Sequence, residues 1–161
     1  MTSTSPVRSL IATDITAETF APFGQVIWAQ TDGKAFDHDD AQLKLNPGTP
    51  RFYIMRLENK GQRFHRITHH KNCTQCLGAL DGLDWLMAVS PAGCQPAEEN
   101  LIAFRIPGNC FVKLEAGTWH AGPYFSHQAV SFYNLELSDT NVVDHHNYDF
   151  SQEGLEFEIC S

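Results

Sequence analysis

The 161-residue chain lacks any run of about eighteen apolar residues, so its sequence offers no membrane-spanning helix. Its eleven Lys and Arg residues never stand side by side, and nineteen Asp and Glu leave a formal charge of −8. A field of that sign repels a phosphate backbone, and nucleic acid is excluded as the expected partner. No Gly-rich phosphate loop and no Gly-x-Ser-x-Gly elbow occurs, which sets aside nucleotide-dependent and serine-hydrolase chemistry. The polar stretch from Met1 to Leu10 has no apolar core and does not read as a secretory signal. The five cysteines are odd in number and irregular in spacing, which fits a reducing cytoplasm better than a disulfide framework. Cys73-Thr-Gln-Cys76 has the spacing of a redox or zinc pair. No second such pair completes a zinc site, and no helix begins there to lower a thiol pKa, so buried thiols are expected. No internal repeat and no linker divides the sequence, and one domain over residues 1–161 is expected.

What is present favours sheet. Apolar residues make up 42% of the chain and charged ones only 19%, a globular balance. Eleven Phe against three Met, with many Val, Ile and Thr, lean towards strands. A short amphipathic turn at residues 17–20, with Asp14 or Thr16 as its N-cap, is broken by Pro22-Phe-Gly24. Residues 31–49 are rich in Asp, Gly, Asn and Pro and read as an exposed loop, with His38 among solvated aspartates. Strand composition recurs at 25–28, 51–56, 63–69, 75–80, 84–90, 100–106, 110–114 and 128–137. Turn signals at Asp81-Gly82, Pro91-Ala-Gly93, Pro107-Gly-Asn109 and Glu115-Ala-Gly117 separate the later strands. Alternation at Leu155-Glu-Phe-Glu-Ile159 marks one more. Short strands at this interval indicate an all-β fold, an antiparallel sandwich or barrel.

Two segments carry donors that could meet. His70 and Gln75 stand five positions apart, with Gly82 closing the segment, and Gly117-Thr-Trp delivers His120 from a later turn. Two imidazoles and an amide oxygen suit a borderline divalent ion and leave coordination positions open for a substrate. Alternation along a strand would put Phe64, Arg66, Thr68 and His70 on one face and His65 and His69 on the other. Gln75 can share a face with His70 only if Asn72-Cys-Thr turns between strands. The plain alternative is packed or surface histidines. His145-His146, between Asp144 and Asp149, reads as a solvated loop or an interface.

His70-x4-Gln75-x6-Gly82 resembles the first metal motif of the cupin superfamily, with Gln where Glu is usual, and Gly108 to His120 is similar to the second. Phe20-Ala-Pro-Phe-Gly-Gln-Val-Ile27, His70-x-x-x-Thr-Gln75, Ala103-Phe104 and Gly117-Thr-Trp-His120, in that order, resemble the ureidoglycolate lyase family within the cupins. The resemblance implies a cupin-type antiparallel β-barrel (a double-stranded β-helix) with a short N-terminal helix, forming a cytoplasmic homodimer. It implies cleavage of ureidoglycolate to glyoxylate and urea in purine breakdown, through allantoin degradation. It also implies a divalent metal ion on His70, Gln75 and His120: Ni²⁺ foremost, with Zn²⁺, Mn²⁺ or Fe²⁺ as alternatives. The chain departs from the family pattern at Thr68-His69, where Glu-Arg is usual, at Ala121, where a second His is frequent, and at Ser131, where Asp is common.

Release of urea requires a proton, for which His65, His69 and Tyr133 are the candidates. Arg56 matches an Arg frequent in the family and could hold the substrate carboxylate in a bidentate pair, with an ion pair at the surface or dimer interface as its other role. Trp119 would wall the pocket, and Ser131 occupies the substrate-side position of the missing Asp. Two other functions are consistent with the sequence. One is a divergent cupin with a different metal-dependent activity on a small hydroxy acid, and the other is a cupin that binds a ligand without turnover.

Overall fold

The computed structural model describes residues 4, 6–46 and 48–161, so part of the polar opening stretch and one position of the 31–49 loop lie outside the described residues. In chain order the elements are β1 (Val7–Ile11), β2 (Thr13–Asp14), α1 (Ala17–Phe20), β3 (Gly24–Trp28), β4 (Pro50–Glu58), β5 (Arg63–Phe64) and β6 (Arg66–His69). Then follow β7 (Gln75–Ala79), β8 (Gly82–Ser90), β9 (Ile102–Gly108), β10 (Cys110–Leu114), β11 (Trp119–Tyr124), β12 (Ala129–Leu137), α2 (Thr140–Val143), β13 (His146–Asp149) and β14 (Glu156–Cys160). The class is all-β with a short N-terminal helix, as expected. Thr16 caps α1, exchanging backbone and side-chain hydrogen bonds with Thr19.

Three sheets stack in layers. Strands order as β3-β10-β7-β12-β4 in one, β13-β6-β11-β8-β9-β2 in the second and β1-β14-β5 in the third. One apolar core, including Phe20, Phe23, Trp85, Met87, Phe104, Val112 and Phe132, lies between the five- and six-stranded sheets. A second, including Phe64, Ile67, Leu86, Ala88, Phe150 and Phe157, lies between the other face of the six-stranded sheet and the three-stranded one. The run Trp85-Leu-Met-Ala-Val89 is thereby explained: β8 is central and buried on both faces, so it does not alternate.

The five- and six-stranded sheets face each other across the first core, and no ladder closing them into a barrel is detected among the described residues. Most pairs are antiparallel, with β1 parallel to β14 and β2 parallel to β9. Strand periodicity carries no information about which distant strand will be the partner. One expectation needs correction: the strand over 63–69 breaks at His65, whose carbonyl accepts the Phe150 amide. Phe64 therefore faces the second core with Ile67, rather than sharing a face with Arg66, Thr68 and His70.

The turns are set where the backbone demands it. Asp81 and Gly82 both have positive φ, 64° and 68°, in the tight turn that carries the chain from β7 in the five-stranded sheet to β8 in the six-stranded one. Gly117, at φ 87°, starts the turn that carries His120 into β11, and its amide donates to the His70 carbonyl at 2.6 Å. That bond ties the two donor segments together.

Candidate functional site

The cleft lies where β6 leaves its sheet and β7 begins in the facing one. His70, Cys73, Gln75, Leu114, Glu115, Thr118 and His120 line a tight cleft whose side chains leave no room for a water-sized sphere. His70 and Gln75 are each 7% exposed and His120 8%. The two imidazole rings have centroids 5.2 Å apart and are tilted by 55°. The bend at residues 71–73 resolves the parity problem, because it lets Gln75 enter the five-stranded sheet facing the same interior as His70.

Each donor is oriented by a specific bond. Nδ1 of His70 lies 2.6 Å from the Asp144 carbonyl oxygen, which can only accept, so that nitrogen carries the proton and Nε2 keeps its lone pair. The Asp144 carboxylate accepts the amides of Lys71 and Asn72 at 2.9 and 2.8 Å, and so holds the bend that presents His70. His120 Nδ1 makes a longer contact, 3.4 Å, to the Thr118 carbonyl. Burial lowers the pKa of His70, opposed by the bond to Asp144. Burial, aided by repulsion from His70, brings His120 down to about 3. Both rings are neutral at pH 7 and available as ligands.

Gln75 is the third donor. Its Nε2 donates to Asn134 Oδ1 at 3.1 Å and to Glu136 Oε2 at 3.3 Å. Its Oε1 is buried and has no hydrogen-bond partner among the described residues. An oxygen in that state costs about 1–3 kcal/mol unless something else satisfies it. Among the described residues no group of three His, Cys, Asp or Glu side chains is placed to hold a metal ion. Two neutral imidazoles and an orphaned amide oxygen suit a borderline divalent ion.

The family model described as Ureidoglycolate lyase matches residues 7–154. This chain belongs to the ureidoglycolate lyase family. A ureidoglycolate lyase of Pseudomonas savastanoi pv. phaseolicola is 28% identical over 91% of this chain and 94% of its own length. Ureidoglycolate lyases of Pseudomonas putida (strain W619) and Pseudomonas entomophila are each 28% identical over 71% of this chain and 75% of theirs.

Of the nine site residues named from the sequence, the fold of this ureidoglycolate lyase family member gathers His70, Gln75 and His120, and directs the other six elsewhere. His65 is at the surface, with Nδ1 3.0 Å from Asp149. His69 stacks on Trp119 at 3.6 Å between centroids, and Trp119 belongs to the second core, so both lie across the sheet from His120. Tyr133 lies over Gly78, where a Cβ would overlap its hydroxyl, against Phe52 and Phe111 on the outer face of the five-stranded sheet. Burial raises its pKa. Ser131 has the same parity and pairs with Arg56, which is exposed.

Other interior residues went unnamed. Asn134 and Glu136 are each 1% exposed, and Asn134 Nδ2 donates to the Tyr53 hydroxyl at 3.1 Å. Burial raises the pKa of Glu136. A signal for both existed: they continue the inward parity of Val130 and Phe132, where polar residues are out of place unless bonded. His145, read as loop, has its ring 5.7 Å from that of His70.

Proposed function

We propose that this chain is a ureidoglycolate lyase, cleaving ureidoglycolate to glyoxylate and urea in one cupin domain that holds a divalent ion on His70, Gln75 and His120. The ion of choice is Ni²⁺, with Zn²⁺, Mn²⁺ or Fe²⁺ as alternatives. The observation that carries the reading is the meeting of three neutral donors at one cleft, in a chain whose family match spans residues 7–154. When bound, such an ion supplies Lewis acidity that lowers the pKa of a substrate hydroxyl.

The chain's own residues do the rest. Neutral His70 and His120 present lone pairs without first losing protons, because burial has already removed them. Thr118 and Leu114 are buried beside them and keep water from that side of the cleft. Departure of urea needs a proton on its nitrogen. The reading gives that part to His145, which is exposed beside His70, since His65, His69 and Tyr133 lie on other faces. Arg56 and Ser131, on the outer face, have no part in substrate binding in this scheme.

The same reading makes the protein a cytoplasmic homodimer. Its support is β4, a nine-residue edge strand that leaves Phe52 and Ile54 71% and 64% exposed. No helix among the described residues is long and apolar enough to cross a membrane.

The test is incubation of metal-loaded protein with ureidoglycolate, measuring urea and glyoxylate together. Equal release of both is expected. Ammonia in place of urea, or no product, overturns the assignment.

A further inference from the structure

Gln75 stands where the resemblance places a glutamate, and the residues behind it show what that exchange accomplishes. An amide has two chemically different branches, and only its oxygen can bind a cation. Both N–H groups of Gln75 have acceptors: Asn134 Oδ1 at 3.1 Å and Glu136 Oε2 at 3.3 Å. The Asn134 NH₂ group is turned the other way and donates to the Tyr53 hydroxyl at 3.1 Å. The Tyr53 proton is then free to point at Glu136 Oε1, 3.5 Å away. The Arg51 guanidinium sits 3.7 Å over the Tyr53 ring and closes the chain of contacts. The relay ends on an amide whose buried oxygen has no partner among the described residues.

We propose that Asn134 and Glu136 are positioning residues that take the Gln75 N–H groups and fix its oxygen as the ligand-facing branch. The proposal rests on the reading that a divalent ion binds at this cleft. It also accounts for the glutamine. A carboxylate at position 75 would set oxygen against oxygen at the two acceptors, whereas an amide satisfies both and still presents an oxygen. Polar groups that orient a ligand from behind typically change metal affinity about 10–100-fold when removed.

The experiment titrates metal-free protein with Co²⁺, reading affinity by calorimetry and geometry by the visible absorption of the bound ion. Asn134→Ala with Glu136→Met should weaken Co²⁺ binding at least about tenfold. The same pair of changes in a Gln75→Ala background should weaken it no further, because the residue they orient is already gone. A second cycle does not depend on tolerating apolar changes in the interior. Glu136→Gln alone keeps an oxygen acceptor and should change affinity less than about threefold, yet in a Gln75→Glu background it should raise affinity at least about tenfold, by giving the new carboxylate an N–H.

Equal effects of Glu136→Gln in both backgrounds would overturn the proposal, as would an Asn134/Glu136 effect that persists in Gln75→Ala, while the metal reading stood. No Co²⁺ uptake by the wild type would overturn the metal reading and this proposal with it. Retained lyase activity with no metal bound would show that the family assignment survives both.

Discussion

A buried imidazole with no carboxylate bonded to it refuses a proton that it would accept in water, and His120 is in that position. Its pKa is held near 3, and that of His70 is lowered by the same desolvation. Above pH 6.5 the ring is neutral in both folded and unfolded chains and has no effect on their balance. As pH falls below 6.5, the unfolded chain takes up a proton that folded His120 does not, so stability drops progressively down to about pH 3. Between pH 7 and pH 5 this one ring should cost the metal-free protein about 2 kcal/mol. Glu136 acts in the opposite sense above its ordinary value of 4.5, because burial favours its protonated form. A His120→Asn variant therefore isolates the histidine. In urea titrations at pH 7 and pH 5 it should lose about 2 kcal/mol less than the wild type over that interval. Identical losses would mean that the ring is not buried in its neutral form.

At the scale of elements, the site depends on a segment that contributes no ligand. The connection from α2 to β13 places Asp144, 1% exposed, behind the 70–72 bend. Its carboxylate takes the Lys71 and Asn72 amides, and its carbonyl takes the His70 ring proton. Asp144→Ala keeps the carbonyl but leaves two backbone donors without acceptors, at a cost of about 2–4 kcal/mol. Hydrogen exchange at residues 71 and 72 should be slow in the wild type and fast in the variant. Unchanged protection there would remove Asp144 from this part. The other lesson at this scale concerns alternation. It separates His70 from His69 and, along β12, Asn134 from Tyr133 and Ser131, as the two-residue period requires. It fails at His65, because the backbone there bonds to Phe150 and the strand restarts out of phase. Nothing local in residues 63–69 announces that break.

For the whole molecule, the layered arrangement decides which surfaces are available. The six-stranded sheet is covered on both sides, the three-stranded sheet shields its second face, and the five-stranded sheet keeps an outer face with β4 at its edge. Phe52 and Ile54 lie on that outer face, so replacing both with Lys should leave the fold intact and dissociate the proposed homodimer. Sedimentation of wild type and variant at the same concentration checks this. A variant of undiminished mass would place the contact elsewhere, and a monomeric wild type would end the homodimer reading.

The strand composition, the turn chemistry at Asp81-Gly82 and Gly117, the Thr16 cap and the His70, Gln75 and His120 spacing were all legible in the chain, because each is a local property of a few neighbouring residues. Local pattern could also say which residues share a face, but not which face looks inward. That is why Arg56, Ser131 and Tyr133, plausible by their chemistry, lie on the far side of the sheet that holds Gln75. The contacts of Asp144, Asn134 and Glu136 are visible only in the tertiary structure, because each is a hydrogen bond between residues about sixty or more positions apart. Such a bond is decided by the stacking of sheets, and no window along the sequence contains both of its ends.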